Sequence, residues 1–155
     1  MLPICACLGE FNGERGQRPF ALYPAIEHNS SSGNTYEVVK QFADEFLAVS
    51  PHHSQCVRSA NFAAALPKRK ELFKSLGLES TELIGVKESR LDQRYALANT
   101  RWRFTFLSQL AKPELVEVES TFLVDMGVEP FQIILYLAHQ DIMEILKQRS
   151  LLGDA

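Results

Sequence analysis

Four groups of residues in this chain have the side-chain types for chemistry. His52, His53 and Cys56, in "HHSQC", are potential metal ligands, with Cys5 or Cys7 as further thiols. Lys68, Arg69, Lys70 and Lys74, in "PKRKELFK", could bind an anion at a helix start. His139 and Asp141, in "AHQD", pair two proton-transfer groups at a turn. Tyr136, just before them, carries a hydroxyl donor. Each group also has a plainer reading. Adjacent histidines point apart, so "HHSQC" reads as a polar loop after a helix, and no metal site is expected. Cations at a helix start oppose the helix dipole, so the lysines read as a solvated face. Asp141 reads as the N-cap of a last helix, and Tyr136 as a core residue.

The elements that must position these groups follow from periodicity. Residues 1–30 hold glycines and little pattern, and read as an arm or docked extended segment; residues 31–155 read as one domain. "NSSSGN" is a break. Asn34 and Glu37 then form a capping pair, and Val39, Phe42, Phe46 and Val49 recur at helical spacing. That predicts a helix over 35–49, stopped at Ser50-Pro51. Residues 59–77 read as helical with Leu72, Phe73 and Leu76 on the apolar side and Gly77 as the cap. Pro67 either kinks that helix or divides it in two. Beyond Gly77 the period becomes two. Residues 81–89, 93–107, 114–126 and 130–138 are strand candidates, and 141–149 a short amphipathic helix. Helices first and strands later is the order of an α+β domain with a largely antiparallel sheet.

The strands "YALANTRWRFTF" (95–106) and "ELVEVESTFLVDM" (114–126) specify each other. Alternate side chains face opposite ways. Ala96, Ala98, Thr100, Trp102, Phe104 and Phe106 share one face; Arg101 and Arg103 lie on the other. One antiparallel register sets Arg103 opposite Glu117, Arg101 opposite Glu119, Trp102 opposite Val118, Phe104 opposite Val116 and Ala98 opposite Phe122. A slip of one residue sets arginines against valines. In "PFQIILYLAHQ", Ile133, Leu135 and Leu137 face one way, and Ile134, Tyr136 and Ala138 the other, so this strand is expected to be covered on both sides. A second subunit over the arginine-bearing face would supply that cover.

Bulk properties exclude some classes. The net charge of −3 lacks the basic excess of nucleic-acid-binding proteins. No apolar run approaches the roughly 20 residues that span a bilayer, so no membrane partner is expected. "MLPICACLG" lacks the basic lead of a signal peptide, and three cysteines fit reduced thiols; a cytoplasmic setting is expected. There is no phosphate-binding loop, nucleophile elbow or paired-cysteine motif, and no cofactor is expected.

The run from "RLDQRYALANTRWRFTF" through "VEVESTFLVDMGVEPFQIILYLAHQDIMEIL" resembles the back half of the nuclear transport factor 2-like (SnoaL-like, cystatin-like α+β) superfamily. The features that carry the resemblance are the Leu91-Asp92 turn, Trp102 in a long strand, the return strand, and "AHQD" with its helix. They cover roughly residues 59–150. The resemblance implies a cone: a curved, mainly antiparallel sheet wrapped around N-terminal helices, with a short C-terminal helix. It also implies an apolar pocket, placed here against Phe62, Trp102, Phe104, Phe122 and Tyr136. Many members dimerise through the outer sheet face, here the side of Arg101, Arg103, Glu117 and Glu119. Three functions are then open. The chain is a small apolar-ligand-binding domain; or an isomerase, cyclase or dehydratase working by acid/base catalysis; or a non-catalytic dimerisation module. An enzyme of this kind needs a pocket acid or base and an oxyanion donor, for which Tyr136, His139 and Asp141 are the candidates. The aromatic face, as read from the strands, carries no carboxylate.

Overall fold

The computed structural model describes residues 39–152. The expected arm over 1–30, with Cys5 and Cys7, lies outside them, as do residues 35–38 of the expected helix.

Of the rest of that helix, Phe42–Val49 is a strand. Strand β1 (Phe42–Val49) pairs antiparallel with β2 (Ser54–Arg58) around a turn closed by Ser50 N–H donating to His53 O at 2.8 Å. A spacing of four residues is close to one helical turn, but it is also two full strand periods. Phe42 and Phe46 therefore share a face in either form. Pairing on both sides decides the matter: β1 also runs parallel to β6, with an irregularity between Phe42 and Leu47. Phe42, Phe46 and Ala48 are buried, and the rings of Phe42 and Phe46 lie 4.9 and 5.4 Å from Phe62.

Helix α1 (Ser59–Ser75) follows β2 without a break and carries Pro67 inside it, one helix rather than two. Alanine, leucine, lysine and glutamate favour the helix, although Pro67 removes one internal hydrogen bond. Its buried residues, Phe62, Leu66, Arg69 and Phe73, recur at helical spacing. That stripe corrects two expectations. Leu72 lies outside it and is exposed, and Arg69 lies on it and is buried rather than solvated. The helix ends where Gly77, at φ +88°, donates its N–H to Lys74 O. Leu107 N–H donates to Gly77 O at 2.8 Å, so the helix end is tied to the sheet.

Strands β3 (Leu78–Arg90), β4 (Tyr95–Leu107), β5 (Pro113–Asp125) and β6 (Gln132–Ala138) form an antiparallel meander, and α2 (Ile142–Gln148) closes the described chain. The order across the sheet is β2-β1-β6-β5-β4-β3. The β4–β5 register is the one derived from charge and size, with Arg103 opposite Glu117 and Trp102 opposite Val118. The inner-face residues from Ala96 to Phe106 are at most 2 % exposed, whereas Arg101 and Asn99 are exposed.

Edge strands β2 and β3 are five strand steps apart, roughly 24 Å. A helix the length of α1 spans roughly 25 Å, starts at the β2 edge and ends beside β3, packing on β1, β2 and β3. It crosses one face of the curved sheet from edge to edge. The core lies between that face and the helices, joined by Ile142 and Leu146 of α2.

Irregularities in β3 and β6 change which side chains face inward. In β3 the register shifts between Leu83 and Gly85, so Val86, Glu88 and Arg90 pair with Thr100, Ala98 and Ala96 of the inner face. In β6 a shift beside Leu123 and Val124 puts Ile133 on the inner face with Tyr136 and Ala138. Ile133 is fully buried; Leu135 and Leu137 remain on the outer side. The expected grouping of Ile133 with Leu135 and Leu137 is corrected accordingly.

Candidate functional site on the inner sheet face

The inner face is uneven in size. Trp102, Phe104 and Phe106 of β4 with Val116 and Val118 of β5 make one bulky end. The neighbouring stretch is small: Ala96, Ala98 and Thr100 of β4, Ser120 of β5 and Ala138 of β6, all buried. Phe122 and Tyr136 flank it, with ring centroids 5.2 Å apart.

A short polar chain crosses this apolar wall. Trp102 Nε1–H donates to Thr100 Oγ1 at 2.8 Å. Thr100 Oγ1 is 2.8 Å from Ser120 Oγ and 3.1 Å from Ser120 O. All three residues are at most 2 % exposed. An indole N–H in a dry core needs an acceptor, and two hydroxyls on adjacent strands provide it. Sequence alternation placed Thr100 on this face, and the same alternation from Val118 puts Ser120 there, but neither gives a sign that they bond.

Of the pocket-lining candidates, Trp102, Phe104, Phe122 and Tyr136 are on this face, and Phe62 packs from α1 against Phe42 and Phe46 of β1. The three catalytic candidates do not converge. Tyr136 faces inward. His139, an odd number of residues later, is exposed and turned to the outer side, with Nε2 2.7 Å from Thr121 Oγ1; that hydroxyl also bonds Asn99 Oδ1 at 3.1 Å. Asp141 caps α2, accepting from Met143 N at 2.9 Å and Glu144 N at 3.4 Å.

The carboxylate of Asp125 is also engaged. Arg94 holds it through Nε and Nη2, each at 2.9 Å, and Gly127 N–H donates to it at 2.9 Å. The Arg94 hydrogen bond holds the Asp125 carboxyl below its usual range, and Asp125 in turn pushes Arg94 further up. A side chain at Gly127 would meet Arg94 Nε at 2.8 Å, so the clamp requires glycine there. Asp92, in the turn before β4, accepts from the N–H groups of Arg94 and Tyr95 at 2.7 Å. Those bonds, Tyr95 first, lower its carboxyl as well. The clamp and the turn pin one end of the β4–β5 ribbon.

The other motifs are spread out. His52 and His53 sit in the β1–β2 turn, not after a helix, and Cys56 is exposed on β2. His52 Nε2 reaches Glu144 Oε2 at 3.2 Å, while His53 Nδ1 lies 3.3 Å from Ser50 Oγ. Among the described residues no cluster of His, Cys, Asp and Glu could hold a metal ion. Lys68, Arg69, Lys70 and Lys74 lie in the second half of α1, away from its N-terminus. The Arg69 guanidinium lies 5.5 Å from the centroid of the Phe73 ring. Among the described residues no helix is long and apolar enough to cross a membrane.

The residue that sequence reading missed is Glu88. Plain alternation from Leu83 puts Gly85, Lys87 and Ser89 inward; the bulge turns Glu88 inward instead. The available signal was Gly85, since a glycine inside a strand pattern marks a bulge.

No family model matches the sequence, and no curated protein matches it. Solved structures do match. An NTF-2-like protein of unknown function from Shewanella oneidensis superposes with a TM-score of 0.59 at 17% identity, over 78% of this chain and 95% of that one. A ketosteroid isomerase-like protein from Erwinia carotovora gives 0.56 at 13% identity, over 77% and 91%. A protein of unknown function with a cystatin-like fold from Nostoc punctiforme gives 0.59 at 8% identity, over 79% and 87%. At such identities the likeness is one of fold. The order of strands, the helix crossing the inner face and the short closing helix agree with it: this chain has the NTF2-like, cystatin-like α+β fold.

Proposed function

We propose that the chain is a small-molecule-binding domain whose apolar ligand rests on the small-residue stretch of the inner face, between Trp102 and the Phe122–Tyr136 pair. The observation that carries this reading is the buried Trp102–Thr100–Ser120 chain beside Ala96, Ala98 and Ala138. A wall mostly apolar with a few convergent polar groups is the usual anatomy of a ligand site. Binding is favoured over acid/base catalysis by the three catalytic candidates because they do not meet: Tyr136 faces inward, His139 faces outward and Asp141 caps a helix. Trp102 is the only tryptophan, so it reports directly on the site. Nile red, a neutral apolar dye, is expected to bind with a blue-shifted, enhanced emission and to quench Trp102 emission. Dye emission unchanged from buffer would remove the reading.

The outer face supports a homodimer as part of the same proposal. Leu97, Leu123, Leu135, Leu47 and Cys56 pair in sequence across β4, β5, β6, β1 and β2, forming one apolar row. Leu47 is 41% exposed. Beside the row, Arg103 lies 3.0 Å from Glu117 and 3.5 Å from Glu82, and Arg101 lies 3.5 Å from Glu119. Such exposed pairs stabilise the fold little, but columns of both signs beside an apolar row can meet their own copy about a two-fold axis. Sedimentation at micromolar concentration is expected to give a dimer, and Leu135→Glu a folded monomer. A wild-type monomer would remove the interface. A reducing, cytoplasmic setting fits the free, exposed thiol of Cys56.

A further inference from the structure

Charged groups at inner-face register positions include Glu88 and Arg90 on β3 and, at the bulky end opposite Phe106, Glu114 on β5; the binding reading uses none of them. Glu88 lies on β3 directly across from Ala98, beside the small-residue stretch, and its Oε1 atom is buried. It is there because of one extra residue. The register of β3 against β4 runs Leu83 to Trp102, then Gly85 to Arg101, Val86 to Thr100 and Glu88 to Ala98. Without that shift the strand would send Lys87 inward and Glu88 to solvent. The bulge thus exchanges a cation for an anion at the edge of the site.

Other charged groups on the same side are placed differently. Arg90, across from Ala96, is exposed at the end of β3, where solvent screens its charge. Arg69 belongs to the opposite end of the face: its guanidinium lies against Phe73, whose ring packs 6.3 Å from that of Phe106. Lys87 and Ser89 face outward with Asn99 and Leu97.

Resting on the binding reading above, we propose that Glu88 is the specificity-determining residue of the site and that its ligand is an apolar molecule ending in a cationic amine. A carboxylate has about four lone-pair positions, so contacts within the chain still leave room for a ligand donor. A hydrogen bond between an ammonium and a carboxylate is roughly twice as strong as a neutral one. A ligand ending in a carboxylate would instead set two like charges side by side in a partly dry place, a repulsion that discriminates as effectively as the attraction. The apolar stretch of Ala96, Ala98, Phe122 and Tyr136 would take the hydrocarbon part, and the edge at Glu88 its charged end.

The test uses Nile red as reporter and displaces it near pH 7 with dodecylamine, dodecanol or dodecanoate, each below its micelle-forming concentration. Dodecylamine is expected to displace the dye at about tenfold lower concentration than dodecanoate, with dodecanol between them. Glu88→Gln should bring amine and acid to within about threefold of each other, each measured against the same variant's displacement by neutral dodecanol. Glu79→Gln, which removes an exposed carboxylate near the other end of β3, should keep the wild-type preference. Dye binding with no preference for the amine overturns the role of Glu88 and leaves the binding domain standing. An equal loss of preference in Glu79→Gln overturns it too, by showing general surface attraction. A chain that binds no dye overturns both readings.

Discussion

Replacing Trp102 by alanine is expected to lower the unfolding free energy by about 3–5 kcal/mol, the range for removing a large buried aromatic side chain. Trp102 is 1% exposed, faces Leu83 on one neighbouring strand and Val118 on the other, and is among the largest fully buried side chains. Truncation leaves a void that the flanking ladders restrain from collapsing, and it removes the donor to Thr100. Because the tryptophan is also the fluorescent probe, urea unfolding should be followed by circular dichroism. Trp102→Phe keeps most of the ring but not the N–H, and should fall between wild type and alanine. A loss under about 1 kcal/mol for alanine would contradict the inner-face packing.

The second large effect is at the other end of the ribbon. Asp125→Asn is expected to destabilise the chain by about 1.5–3 kcal/mol at neutral pH, the scale of a hydrogen bond to a charged partner. The aspartate side chain is 10% exposed and the arginine 55%, so solvent screens part of the attraction but not the two-point geometry. The pH dependence has a definite sign. Arg94 chiefly, and Gly127 N–H, lower the carboxyl in the folded chain, while burial opposes them. A group whose folded value is depressed stabilises fully above its unfolded value, near ~3.9 for aspartate, and progressively less as pH falls below that toward the folded value. Wild-type stability should therefore decline from about pH 5 downward, and Asp125→Asn should decline less steeply. Some slope must remain, because Asp92 is lowered in the same direction by Tyr95 and Arg94 N–H groups. Urea midpoints measured at intervals from pH 7 to pH 3 check this; parallel curves for the two chains would show that the clamp does not titrate as described.

Much of the back half of the fold was legible in the chain itself. The β4–β5 register follows from opposite charges and matched apolar residues, since a one-residue slip reverses every face. Asp141 as the cap of α2 and Gly77 as the end of α1 follow from local chemistry. Those features depend on neighbours in sequence or on one adjacent strand, and residue types report them. The candidate site was legible only in part. The aromatic wall and the inward hydroxyls were readable from alternation, but Glu88 was not.

The sequence by itself thus determined the class, the β4–β5 ribbon with its greasy and charged sides, and the two helix ends. Only the tertiary structure decided that Phe42–Val49 is a strand, because Phe42 and Phe46 satisfy both periods and the choice belongs to the partners β2 and β6. It also decided that Ile133 and Glu88 face inward, because a bulge moves later residues by one position and is set by strands distant in sequence. Arg69 rather than Leu72 is buried on α1 for a related reason: the sheet beneath it selects which helical stripe is covered.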